Sequence, residues 1–179
     1  MNRVQWVDSF NYQPKEGGME GGGAAQWHLA DPEATSDWGR AWAPCLEPGL
    51  VLTFSGDLGA GKTALIRGIL RGLGVTGTIR SPTYALLEIY ELSRLYCYHF
   101  DFYRIDTPES LEDSGFRECF RSDSLCFVEW PEKVSAWLPP ADVALTLEPA
   151  GAGRLLQVRQ ASVRGMKCLE PLLSTSLPR

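Results

Sequence analysis

The run Gly56-Asp57-Leu58-Gly59-Ala60-Gly61-Lys62-Thr63 restricts this chain more than any other stretch. It satisfies G-x-x-x-x-G-K-[ST], the Walker A pattern. At average residue frequencies a chain of 179 residues matches it by chance on the order of one time in a hundred. Its context adds specificity. Leu50 to Phe54, just before it, reads as a compact apolar strand. Lys62 to Leu73 reads as a helix, with Leu65, Ile66, Ile69, Leu70 and Leu73 on one face and Gly74 as the stop. Glycines let such a loop turn tightly and aim its N–H groups at an anion, while the helix N-terminus adds donors and a favourable dipole. Lys62 is expected to reach the β- and γ-phosphates of a nucleotide, and the Thr63 hydroxyl to sit on Mg2+.

Strand and helix signals alternate on both sides of this unit, which predicts an α/β layer fold. Gln26 to Leu29 reads as a short strand. Asp31 followed by Pro32 and Glu33 reads as a capped helix start that carries Trp38, Ala41 and Trp42 towards Pro44. Further strands are expected at Leu86 to Leu92, Tyr96 to Asp101, Leu125 to Glu129, Val143 to Glu148 and Leu155 to Val158, with a short helix opening at Thr107-Pro108-Glu109. Five of the 18 glycines fall between Gly17 and Gly23, so residues 1–25 are read as a flexible tail. Residues 26–161 form the expected domain. Residues 162–179, closing in S-T-S-L-P-R, are read as a weakly ordered C-terminal tail.

A phosphate loop needs an acid at the end of a neighbouring strand to hold the magnesium shell. Glu129 closes the uniformly apolar run Leu125-Cys126-Phe127-Val128, the pattern of a central parallel strand, and is ranked first. Asp101, which ends Tyr96 to Phe100, is ranked second, acting through a water or a switch contact. His99 is read as structural rather than as a proton shuttle. Arg80, Arg104, Arg117, Arg121 and Arg154 are all candidates to stabilise phosphate charge, and spacing does not choose among them.

Absences narrow the ligand. No N/T-K-x-D motif surrounds Lys15, Lys62, Lys133 or Lys167, which argues against guanine and for ATP, and no S-G-G-Q signature occurs. A net charge of -5 argues against direct gripping of nucleic acid. The five cysteines lack C-x-x-C spacing and read as free thiols of a reducing compartment. No run approaches the length of a membrane span, and a cytoplasmic protein is expected.

G-D-L-G-A-G-K-T at 56–63, S-P-T-Y at 81–84, Y-H-F-D-F-Y-R at 98–104 and V-E-W-P-E at 128–132 occur in that order. Together they resemble the TsaE (YjeE) family of bacterial ATPases needed to make N6-threonylcarbamoyladenosine at position 37 of tRNA. The similarity spans about Trp27 to Val158. It implies a P-loop NTPase fold, with a mixed sheet that is parallel at its centre and antiparallel at its flanks, and helices on both faces. It implies ATP and Mg2+ as ligands, and the TsaB–TsaD heterodimer as partner, with tRNA reached only through that complex and no membrane. By resemblance Gly59, Ala60, Gly61, Lys62 and Thr63 wrap the phosphates, Thr63 and Glu129 hold the metal, and Asp101 is an acid required for activity. Ser81 to Tyr84 match a switch-like loop, Arg154 an arginine near the nucleotide, and Asp31 to Thr35, with Pro32, the edge bordering the base. Trp130 follows the metal acid as in relatives. Relatives often carry a hydroxyl residue where this chain has Ala64, which leaves only the backbone N–H for the α-phosphate. A small-molecule kinase and a nucleotide-gated scaffold without required turnover are the competing readings, and no convincing kinase lid is found.

Overall fold

The computed structural model describes residues 4–6, 25–93, 95–111 and 114–173. Its organising element is the parallel pairing of strands whose residues are apolar on both faces. Strand β3 (Val51–Ser55) lies between β6 (Ser124–Glu129) and β7 (Val143–Ala150), parallel to both, and β5 (Leu95–Asp101) extends the parallel set beyond β6. Every residue of β6 is buried, as its unbroken apolar run requires of a central strand. The flanks are antiparallel: β4 (Leu87–Leu92) on β5, β8 (Gly153–Ala161) on β7, then β2 (Gln26–Leu29) on β8 and β1 (Val4–Trp6) on β2. The order is β1-β2-β8-β7-β3-β6-β5-β4. This is the mixed sheet that the sequence motifs imply.

Side-chain alternation divides the core into two layers. Leu52, Phe54, Leu125, Phe127 and Cys97 face the α-helices, and Val51, Tyr98, Phe100, Cys126 and Val128 face the opposite way. On the first face lie α1 (Pro32–Trp42), α2 (Lys62–Gly72) and α3 (Val163–Leu173). The second face is covered by 3₁₀ turns at Pro108–Leu111, Phe116–Cys119 and Pro131–Trp137. Helix α1 starts where its cap residues dictate. The Asp31 carboxylate accepts from the Ala34 N–H at 2.7 Å, and Pro32 fills the first turn, where no N–H is needed. Its aromatic face packs Trp38 between Trp27 and Trp42, with ring centroids 4.9 and 5.2 Å apart. Helices α1 and α2 approach closely through glycine: a Cβ on Gly68 would lie 2.2 Å from the Ser36 carbonyl oxygen, and one on Gly39 2.5 Å from that of Leu65. This contact seats α2, and with it the loop that precedes it, against the sheet.

Two segments differ from the sequence reading. Residues 163–173, within the stretch read as a weakly ordered tail, form α3. Gly165, Cys168, Leu169 and Leu172 make its buried stripe, and the Ser162 hydroxyl accepts from the Gly165 N–H at 3.0 Å while donating to Asp142 at 2.7 Å. Pro171 and the polar ending obscure that stripe in the sequence. Residues 4–6, inside the stretch read as a flexible tail, form β1, with Val4, Gln5 and Trp6 opposite Leu29, His28 and Trp27. The glycine-rich stretch 17–23 lies outside the described residues.

All five cysteines are free. Burial pushes the Cys97, Cys126 and Cys168 thiols up to about 12, and raises Cys45 and Cys119 by less. At pH 8 a thiol at about 12 is ionised to about one part in ten thousand. In a thiol-disulfide dye assay of the native protein, at most Cys45 and Cys119 should therefore react, with the other three following only on denaturation. Rapid reaction of three or more thiols in the folded protein would contradict this packing.

Candidate nucleotide-binding site

The parallel strands deliver their C-terminal ends to one edge of the sheet, where open α/β folds place their ligand crevices. There the chain leaves β3, turns through residues 56–61 and enters α2. Gly56, Gly59 and Gly61 all have positive φ, at 131°, 80° and 106°. A side chain would strain each turn. Gly61 caps α2 without any side-chain acceptor, and the amides of Gly59, Gly61, Lys62, Thr63 and Ala64 donate no hydrogen bond among the described residues. Ala60 differs, since its N–H donates to the Asp57 carbonyl at 3.1 Å and its methyl is buried. A concave set of unpaired N–H groups at a helix N-terminus suits an anion.

Beneath this concavity lies a cleft of about 240 Å³, lined by Gly59, Gly61, Lys62, Thr63, Asp101 and Glu129 together with Leu58, Ser81, Thr83, Tyr103 and Trp130. The Lys62 ammonium folds back over its own loop, donating to the Gly56 carbonyl at 2.6 Å and the Asp57 carbonyl at 2.9 Å. It also stands 4.0 Å from the centroid of the Trp130 ring. Burial lowers the Lys62 pKa from its ordinary value, while the charges of Glu129, Asp101, Glu132 and Asp57 pull it back up. Trp130 takes a left-handed backbone conformation (φ 59°, ψ 48°), rare for a bulky residue, and its ring sits 5.1 Å from that of Tyr103. That conformation brings the indole under Lys62.

The two acids have different surroundings. Register pairs Asp101 with Glu129 at the ends of β5 and β6. Glu129 Oε1 accepts from the Thr63 hydroxyl at 2.8 Å and bonds His99 Nε2 at 2.8 Å. Asp101 accepts from the Thr83 hydroxyl at 2.8 Å and from the Tyr103 N–H at 3.0 Å. Ser81 and Thr83 bond each other at 2.7 Å, so the 81–84 loop is fastened to Asp101. Thr63 and Glu129 offer adjacent hard oxygen ligands. Among the described residues no group of three or more His, Cys, Asp or Glu side chains forms a metal cage. That donor set fits Mg2+, which takes one or two protein oxygens and completes its shell with water and phosphate.

The remaining sequence candidates scatter. Arg154 does not line the cleft, yet it packs against the loop: a Cβ on Gly61 would fall 2.4 Å from its Nη1. Pro32 opens α1, adjoining Leu29, which pairs with Arg154, and also lies outside the cleft, as do Ala60 and Ala64. Arg104 stacks on Tyr84 at 4.4 Å beside the cleft, Arg117 on Trp137 at 4.8 Å, and Arg121 pairs with Asp123 at 2.8 Å. Sequence reasoning passed over the Trp130–Lys62 contact and the bond from His99 to Glu129. Alternation along β5 was the available signal for the second, since His99 stands two residues before Asp101 and therefore on the same face.

A strand, a glycine-rich loop with unpaired amides, a helix carrying the loop's Lys and Thr, and a strand-end acid on Thr63 together define a P-loop NTPase fold. A family model described as "Threonylcarbamoyl adenosine biosynthesis protein TsaE" matches residues 29–156. The tRNA threonylcarbamoyladenosine biosynthesis protein TsaE of Haemophilus influenzae is 46% identical over 126 residues, which are 68% of this chain and 80% of that protein. The Bacillus subtilis protein of the same name is 36% identical over 126 residues, 70% of this chain and 78% of its own. Among solved structures, YdiB from Bacillus subtilis aligns with a TM-score of 0.71 at 30% identity, covering 84% of this chain and 94% of the other. The chain belongs to the TsaE family. No helix among the described residues is long and apolar enough to cross a membrane.

Proposed function

We propose that this chain is a Mg2+-dependent ATPase of the cytoplasm, that it serves threonylcarbamoyl transfer to adenosine 37 of tRNA, and that it works with the TsaB–TsaD heterodimer. The observation that carries the nucleotide reading is the set of unpaired amides at Gly59, Gly61, Lys62, Thr63 and Ala64, gathered at an uncapped helix N-terminus. The family's role in threonylcarbamoyl adenosine biosynthesis carries the pathway.

In this reading the loop amides bind the phosphate oxygens and fix their orientation. Lys62 exchanges the carbonyls of Gly56 and Asp57 for the phosphates, and Trp130 supports its stem and charge. Thr63 and Glu129 hold Mg2+, which when bound would neutralise charge on the phosphate oxygens. Asp101, held by Thr83 and the Tyr103 amide, is placed to accept a proton or hydrogen bond from an attacking water once Thr83 releases it. Arg154 packs against the loop at Gly61, where a side chain would displace it.

The test is nucleotide calorimetry and phosphate release, each with Mg2+ and with EDTA. Glu129→Ala should lower Mg2+-dependent turnover by roughly tenfold or more while changing metal-free ATP affinity little, because the carboxylate acts through the ion. Asp101→Ala should keep the metal dependence of binding and lose turnover. If Glu129→Ala kept full magnesium stimulation while Asp101→Ala lost it, the two acids would have to exchange roles.

A further inference from the structure

We infer that His99 is a positioning residue for the magnesium site, holding the Glu129 carboxylate through Oε1 independently of nucleotide and metal. The inference rests on the Mg2+ reading above and adds to it a residue on a buried strand that does not line the cleft. His99 is fully buried on β5, on the same face as Asp101 and one alternation deeper. Its Nε2 lies 2.8 Å from Glu129 Oε1, across the parallel pair β5–β6. A carboxylate can only accept, so the ring proton of this bond sits on Nε2.

Oε1 therefore has two donors, His99 Nε2 and the Thr63 hydroxyl. They are not equivalent. Thr63 is itself a proposed metal ligand on the phosphate loop, and its position answers to the nucleotide. His99 is anchored in the sheet, and its position does not. With Oε1 committed to the imidazole, Oε2, which accepts no hydrogen bond from the described residues, remains for the ion's shell. A ligating oxygen held by an outer partner keeps its orientation when the ion leaves.

The rest of the histidine ring argues against a mere filler. Nδ1 is buried and has no hydrogen-bond partner among the described residues. An apolar side chain among neighbours such as Cys97 and Phe127 would fill the same space without leaving that atom unsatisfied. Among the described residues, the bond that offsets this defect is the one to Glu129.

The experiment measures Mn2+ affinity of the ATP complex by electron paramagnetic resonance, alongside calorimetric ATP affinity in EDTA. His99→Leu should weaken Mn2+ binding by roughly 10- to 100-fold, with ATP affinity in EDTA within about twofold of wild type. His99→Gln, whose amide nitrogen reaches where Nε2 stood, should recover most of the loss. If the Leu variant does not fold, His99→Asn, too short to reach Glu129, takes its place against Gln. Unchanged Mn2+ affinity in a folded Leu or Asn variant would overturn the inference, as would equal losses in Gln and its comparator, or a matching loss of metal-free ATP affinity. Those outcomes leave the nucleotide reading standing. A wild-type protein that binds neither ATP in EDTA nor Mn2+ with ATP would overturn both.

Discussion

Lys62→Ala should weaken ATP binding by roughly tenfold to over a hundredfold, since hydrogen bonds to charged groups are worth about 1.5–3 kcal/mol. The ammonium already has partners within the protein. It holds the carbonyls of Gly56 and Asp57 and lies over Trp130, and nucleotide binding would replace those contacts with phosphate oxygens. The gain is thus a difference between two bonded states, which favours the lower part of the range. Electrostatics works the other way. Burial pushes the amine's pKa down, and four carboxylates, those of Glu129, Asp101, Glu132 and Asp57, favour its charged form. Removing that cation leaves the four acids facing an anionic ligand, which raises the penalty. Calorimetry in EDTA isolates this term from the metal, and unchanged affinity in a folded Lys62→Ala protein would contradict the assignment.

What could be read from the sequence was governed by local rules. Helix α1 begins where Asp31 and Pro32 place it, α2 runs along the stripe of Leu65, Ile66, Ile69 and Leu70, and the unbroken apolar run of β6 marks a central parallel strand. What escaped depends on distant partners. The stripe of α3 includes Gly165 and Cys168, which read as apolar only once Val143 and Trp42 are seen against them: a Cβ on Gly165 would meet Val143, and the Trp42 Nε1–H donates to the Cys168 carbonyl at 3.0 Å. Strand β1 exists through its pairing with β2, and three residues carry no periodicity of their own. At the site, the motif residues Lys62, Thr63, Asp101 and Glu129 line one cleft. The bond between His99 and Glu129 needs the β5–β6 register, and the approach of Trp130 to Lys62 needs a left-handed backbone that no residue type announces.

Phosphate release at saturating Mg-ATP should be slow in the isolated protein and rise steeply when TsaB–TsaD binds. The site is bonded within itself: Lys62 to its own loop, Thr63 to Glu129, and the 81–84 loop to Asp101. Turnover requires each of these internal bonds to give way to nucleotide, metal or water. The loop that must move is also the exposed one. Tyr84 is 86% exposed and Leu58, in the lining of the cleft, 71% exposed, so a partner covering the mouth would bury both while repositioning the loop. Arg104, stacked on Tyr84 at 4.4 Å, would move with it and could supply charge to the phosphates in cis. A net charge of -5 disfavours direct gripping of nucleic acid by this chain. In P-loop enzymes a completed charge clamp raises turnover by about 10³–10⁵, so even partial completion exceeds assay error. Equal rates with and without the heterodimer, with complex formation confirmed, would exclude partner activation and favour the nucleotide-gated scaffold or a kinase. Tyr84→Ala separates the contributions further. It should leave ATP affinity of the isolated protein nearly unchanged and blunt the stimulation, because its ring is absent from the lining of the cleft and present at the surface the partner would cover.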